Sequence, residues 1–122
     1  MKKFIRAVFH AAAGIGHCAV KGRNFRIQLV AGLVTIVAAI LLRSTPVEWM
    51  LLLLCIAMVL SLEMINTAVE DLCNLYTRSH HPAIKHIKDM AAGAVLISAI
   101  VSFVTGLVIF LPKIITLIKT IL

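Results

Sequence analysis

The sequence predicts an all-α membrane protein, with one surface helix followed by three membrane-spanning helices. Composition, the lengths of the apolar runs and the side on which positive charge falls carry that reading. Hydrophobic residues make up 61% and charged residues 14% of the 122 positions, against about 45–50% and about 25% in soluble domains. Mean hydropathy is +1.06. Too few polar side chains remain to cover a water-soluble globule, and the same apolar content excludes a disordered chain. At about 20 residues per span, the length holds three or four helices with short connections and excludes a large single-chain transporter. The 12 Lys and Arg against 5 Asp and Glu give a net charge of +7. These basic residues cluster beside apolar runs, so the charge reads as anchorage on anionic lipid and not as nucleic-acid binding.

The elements follow in order along what reads as a single domain. Over residues 1–23, Phe4, Ile5, Val8, Ala11, Ala12 and Ile15 recur at helical spacing among Lys2, Lys3, Arg6, His10 and His17. That is the pattern of an amphipathic helix lying at the membrane interface. The same polar residues interrupt the apolar stretch that a signal peptide needs, so no cleaved segment is expected. The first span, 25–42, is built on the fourteen-residue apolar run from Leu29 to Leu42, lengthened by Phe25 and Ile27 and by the snorkelling of Arg26 and Arg43. Ser44-Thr45-Pro46 turns the chain. Pro46 then suits the start of a helix and Trp49 sits at interface depth. The apolar period continues beyond Leu62 through Met64, Ile65, Ala68, Val69 and Leu72, which extends this second element over 47–75. Tyr76 to Pro82 reads as a polar turn. The third span, within 88–111, holds the 22-residue run from Met90 to Leu111. The tail, 112–122, either prolongs that helix or lies on the opposite interface.

Nine Lys and Arg (residues 2, 3, 6, 21, 23, 26, 78, 85 and 88) fall on the N-terminal side of the membrane and three (43, 113 and 119) on the other. The positive-inside rule therefore puts the N-terminus and the 76–88 loop in the cytoplasm. Cys18, Cys55 and Cys73 have no metal-binding or CxxC spacing, and an odd number cannot pair fully within one chain, so they read as free thiols. His80, His81 and His86 match no closed ligand set and read as loop histidines.

Four of the five acidic residues, Glu63, Glu70, Asp71 and Asp89, lie between positions 63 and 89, although acidic groups are costly near hydrocarbon. At about 100° per residue, Glu63, Asn66, Glu70 and Asn74 fall at about 0°, −60°, −20° and +20°, on one narrow stripe about 16 Å long. Carboxylates sharing a face repel unless a cation or proton lies between them, and oxygen ligands of this kind suit Mg²⁺ when phosphates complete its shell. Phosphoryl transfer also needs a cation for the phosphates, which Lys88 beside Asp89 supplies, and a base for the attacking hydroxyl, which a stripe carboxylate supplies. The small residues Ala91, Ala92, Gly93 and Ala94 let the third span approach that stripe closely. No P-loop or dinucleotide-binding fingerprint is present.

The segment Glu63-Met-Ile-Asn66-Thr-Ala-Val-Glu70, followed eighteen residues later by Lys88-Asp89 and the small-residue run, resembles the prokaryotic diacylglycerol kinases over nearly the whole chain. Arg23-Asn24-Phe25-Arg26-Ile27, His81-Pro82 and Lys88-Asp89-Met-Ala-Ala-Gly93 are more similar to the undecaprenol kinase branch. The resemblance implies a homotrimer in the bacterial inner membrane with shared active sites at the cytoplasmic interface. It implies transfer of the ATP γ-phosphate to a lipid hydroxyl of undecaprenol or diacylglycerol, with Mg²⁺. By position, Glu63 is then the catalytic base, Glu70 a metal ligand, Asn66 a positioning group at the cofactor, and Lys88 and Asp89 nucleotide contacts. One departure stands out, because the family's metal-binding Glu three residues before the Phe of Asn-Phe-Arg is Gly22 here. That leaves open whether Glu70 holds the metal with water and phosphate oxygens, or whether activity is weak or altered in specificity. A small proton- or cation-coupled transporter using Glu63, and a non-catalytic interaction protein, are the rival readings.

Overall fold

The computed structural model describes residues 1–77, 79 and 81–121. The expectations placed on Arg78, His80 and Leu122 lie outside the described residues. Four α-helices follow one another: α1 (Lys2–Lys21), α2 (Arg23–Leu41), α3 (Pro46–Tyr76) and α4 (Pro82–Ile121). The last three are long and apolar enough to cross a membrane. Most of their Leu, Ile, Val and Phe side chains face outwards, Leu54, Val101 and Phe103 among them. In water that surface would aggregate, whereas in lipid it is the ordinary solvent-facing side.

Gly22 separates α1 from α2. The end of α1 is closed by the Gly22 amide donating to Cys18 O at 2.8 Å and by the Arg26 guanidinium donating to Val20 O at 2.8 Å. On the next turns of α2, Gly32 is buried, and a Cβ there would stand 3.2 Å from Ile56 Cγ2. The glycine thus lets α2 and α3 approach closely.

At the other end of α2 the chain reverses tightly. Ser44 N–H donates to Ala39 O at 2.9 Å and Arg43 N–H to Ile40 O at 3.2 Å, with Arg43 left-handed at φ 49°. This is the Schellman arrangement, filled here by an arginine where glycine is usual. Thr45 then caps α3 reciprocally: its side chain accepts from Glu48 N–H at 3.3 Å, while its own N–H donates to Glu48 Oε2 at 2.7 Å. Glu48 also meets the Lys113 ammonium of α4 at 2.8 Å. That ammonium lies 3.5 Å from the carbonyls of Leu42 and Arg43, so one charge ties all three spanning helices at this end. Beneath the turn, Ala39, Leu52 and Ile109 form the buried core, with Trp49 and Phe110 packed against it.

One boundary differs from expectation. α4 begins at Pro82 instead of 88, because Lys85 and His86 occupy the exposed face of a helical turn and do not break it. It also runs unbroken through Pro112 to Ile121, which is the first of the two readings of the segment after Leu111. Proline removes one ladder hydrogen bond, a loss that spanning helices tolerate, and here the next residue, Lys113, is fastened to Glu48. The remaining ends differ by a residue or two from 1–23, 25–42 and 47–75.

The capping box predicts that Thr45→Ala destabilises the protein by about 1 kcal/mol, read as a lowered thermal midpoint in detergent. Thr45→Ser should retain the wild-type value.

Candidate active site

At about 1.5 Å per residue, Glu63 lies about 26 Å and Glu70 about 36 Å along α3 from Pro46, to be compared with a hydrocarbon core about 30 Å thick. The burial agrees. Glu63 is 4% exposed and Asn66 6%, while Glu70, Asp71 and Asn74 are exposed. The expected stripe therefore exists, with Glu63 and Asn66 buried at one end and Glu70 and Asn74 exposed at the other.

Two amides hold its two carboxylates. Gln28 of α2 donates through Nε2 to Glu63 Oε2 at 3.3 Å, and Asn66 donates through Nδ2 to Glu70 Oε1 at 3.2 Å. In each amide the oxygen, Gln28 Oε1 or Asn66 Oδ1, is buried without a partner. A buried carboxylate costs several kcal/mol, and one long amide hydrogen bond offsets only part of that cost. Such a group is kept for what it does. Sequence reasoning passed over Gln28, although an amide between Ile27 and Leu29 within a span was itself a signal.

Lys88 of α4 reaches the stripe at Asn74, donating from Nζ to Oδ1 at 2.7 Å. It thus stands one turn beyond Glu70 and not beside Glu63. Asp89 is exposed next to it. The structure brings Glu63, Asn66, Glu70 and Lys88 to one end of the α3/α4 pair, and Asp89 adjoins them in sequence.

Among the described residues no three His, Cys, Asp or Glu side chains converge. At Glu70 the oxygen ligands are those of its own carboxylate, to which the Asn66 amide is turned through Nδ2. That set suits Mg²⁺, which binds one or two carboxylates and leaves its other positions to phosphate oxygens and water. Gly22 contributes no ligand, and the turn leaves no room for one. A Cβ at this position would lie 2.7 Å from Cys18 O and 3.1 Å from Phe25 Cβ, so a larger residue requires the α1–α2 backbone to move. Beyond Gln28, an apolar cavity of about 450 Å³ opens between α2, α3 and α4.

Comparison with known proteins identifies the family. The family model described as prokaryotic diacylglycerol kinase matches residues 9–110. The undecaprenol kinase of Bacillus subtilis is 40% identical over 93% of this chain and 92% of its own. The diacylglycerol kinase of Synechocystis is 38% identical over 88% of this chain and 62% of its own. That of Escherichia coli is 28% identical over 84% of each. Spans, site and relatives together define a multi-pass membrane enzyme, a lipid kinase that transfers phosphate to a hydroxyl. The chain belongs to the prokaryotic diacylglycerol kinase family.

The tight turn predicts that Gly22→Ala costs about 1–3 kcal/mol by overpacking. Gly14→Ala, where an added Cβ meets nothing within 4 Å, should stabilise α1 by up to about 1 kcal/mol. Thermal unfolding of both variants in detergent checks the contrast.

Proposed function

We propose that this kinase transfers the γ-phosphate of ATP to the hydroxyl of undecaprenol or diacylglycerol, with Mg²⁺, at the cytoplasmic end of α3. The observation that carries this reading is the buried Glu63 carboxylate, held by Gln28 two turns from the exposed Glu70. Glu63 accepts the proton of the lipid hydroxyl. The lipid oxygen forms its bond to the γ-phosphorus as the bond from that phosphorus to the β–γ bridging oxygen breaks. ADP leaves with the electron pair, and Glu63 releases its proton to water.

Glu70, aligned by Asn66, holds the metal, and Lys88 and Asp89 contact the nucleotide. When bound, Mg²⁺ neutralises charge on the phosphate oxygens. The Lys88 ammonium, fixed on Asn74, offers a further positive charge to the same phosphates. A site split between dry and wet ends suits a reaction whose acceptor arrives from the bilayer and whose donor arrives from water.

The same reading takes the whole chain as one unit in the bacterial inner membrane, with its N-terminus cytoplasmic and α1 on the membrane surface. The excess of Lys and Arg on the N-terminal side supports this orientation. α1 supports the surface position, since it exposes Phe4, Ile5 and Phe9 among Lys and Arg. The assembly is a homotrimer, a reading supported by family membership and by the many apolar side chains outside the chain's own core.

The test is transfer of labelled phosphate from MgATP in lipid micelles, with undecaprenol and diacylglycerol supplied separately. Glu63→Gln should lower kcat by about 10²–10⁴-fold while the KM for ATP changes little. Full turnover in that variant would remove Glu63 as the base. ATP-independent cation flux in proteoliposomes, without phosphate transfer, would replace the kinase reading with a transporter.

A further inference from the structure

The cavity behind Gln28 extends along α4 from Ala99 to Ile114, about 22 Å at about 1.5 Å per residue. Its lining is apolar with few exceptions, and the exceptions are spent. Thr35 Oγ1 donates to Ala31 O at 2.9 Å, and Ser102 Oγ donates to Ser98 O at 2.7 Å. The thiol of Cys55 is at most a weak donor. Gln28 alone presents an unsatisfied strong polar atom, the buried Oε1, and its Nε2 is the group that holds Glu63. The cavity is therefore apolar along its length, with one hydrogen-bond acceptor at the head, in contact with the carboxylate.

We infer that this cavity binds the hydrocarbon chain of the lipid acceptor and that Gln28 is the positioning residue that brings the acceptor's hydroxyl to Glu63. The inference rests on the kinase reading above and names the acceptor that the site prefers. The arriving hydroxyl donates to Gln28 Oε1 and, on turning about its C–O bond, to Glu63, which takes the proton as the lipid oxygen attacks the γ-phosphorus. The occupant is a long-chain alcohol whose hydrocarbon begins at the carbon bearing the hydroxyl, as in a polyprenol. A diacylglycerol would place two ester carbonyls immediately below the head, where the lining has no strong donor to spare. Burying polar groups without partners costs about 1–3 kcal/mol each.

Gly106 supplies the test, because it lines the cavity and a Cβ there meets nothing within 4 Å. Gly106→Phe fills the space without a clash at the backbone. In steady-state assays of the full chain in micelles, it should raise the KM for a long-chain polyprenol about tenfold and leave the KM for ATP unchanged. Gln28→Leu, of similar bulk, should lower kcat with polyprenol about tenfold, again at unchanged KM for ATP. An unchanged polyprenol KM in Gly106→Phe overturns the assignment. So does a change in its oligomeric state, measured by light scattering, which would give the cavity to a second copy of this chain.

A binding measurement separates this inference from the kinase reading. Cys55 lines the cavity, whereas Cys18 and Cys73 are buried elsewhere and serve as internal references. Site-resolved maleimide labelling without ATP should be slowed severalfold at Cys55 by polyprenol, and not by a hydrocarbon of equal length lacking the hydroxyl. Protection without phosphate transfer would overturn the kinase reading and retain the cavity assignment. Transfer to polyprenol without protection would do the reverse.

Discussion

The constraint on which the structure depends is a carboxylate kept dry inside a spanning helix. Glu63 sits on the second spanning helix, 4% exposed, and among the described residues its carboxylate takes one long hydrogen bond, from Gln28. The Coulombic and desolvation cost of that position falls steeply with each turn towards water, so its location along α3 matters as much as its identity. Two turns further on, Glu70 is exposed. One helix thus carries a buried carboxylate and an exposed one on the same stripe. A reaction between a bilayer alcohol and a soluble phosphate donor needs that pairing.

What fixes Glu63 at this depth is the far end of the molecule. The left-handed Arg43, the capping box of Thr45 and Glu48, and the Lys113 ammonium set the point from which α3 rises and clamp α4 alongside it. A helix has a fixed rise, so the start of α3 determines the height of every residue above it. Below the site the walls are apolar, and Gly32 draws α2 close enough for Gln28 to reach across. The polar end is built from two pairs, Asn66 with Glu70 along α3 and Lys88 with Asn74 between α4 and α3.

The helices and most of the site were legible in the sequence because both are periodic. Apolar runs of span length identify α2, α3 and α4. The offsets 63, 66, 70 and 74 place four polar groups on one stripe wherever the helix lies. What sequence reasoning missed was contact between helices. Gln28 is a lone amide thirty-five residues from its partner, and no spacing rule links them. Lys88 was expected near the carboxylates, and its place in the second turn of α4 pairs it with Asn74, one turn beyond Glu70. Sequence left two readings of the segment after Pro112, and the ion pair of the neighbouring Lys113 goes with the one in which the helix continues. Gly22, read as a missing ligand, is also a steric requirement of the α1–α2 turn.

The central claim is that Glu63 is held against its own stability cost for the sake of phosphate transfer. The direct measurement is the thermal stability of Glu63→Met in detergent, alongside its transfer activity. An apolar side chain of similar volume should raise the midpoint, since it escapes the desolvation cost of a buried carboxyl group, while transfer is lost. A variant that is markedly less stable than wild type would contradict the account and make Glu63 a structural residue.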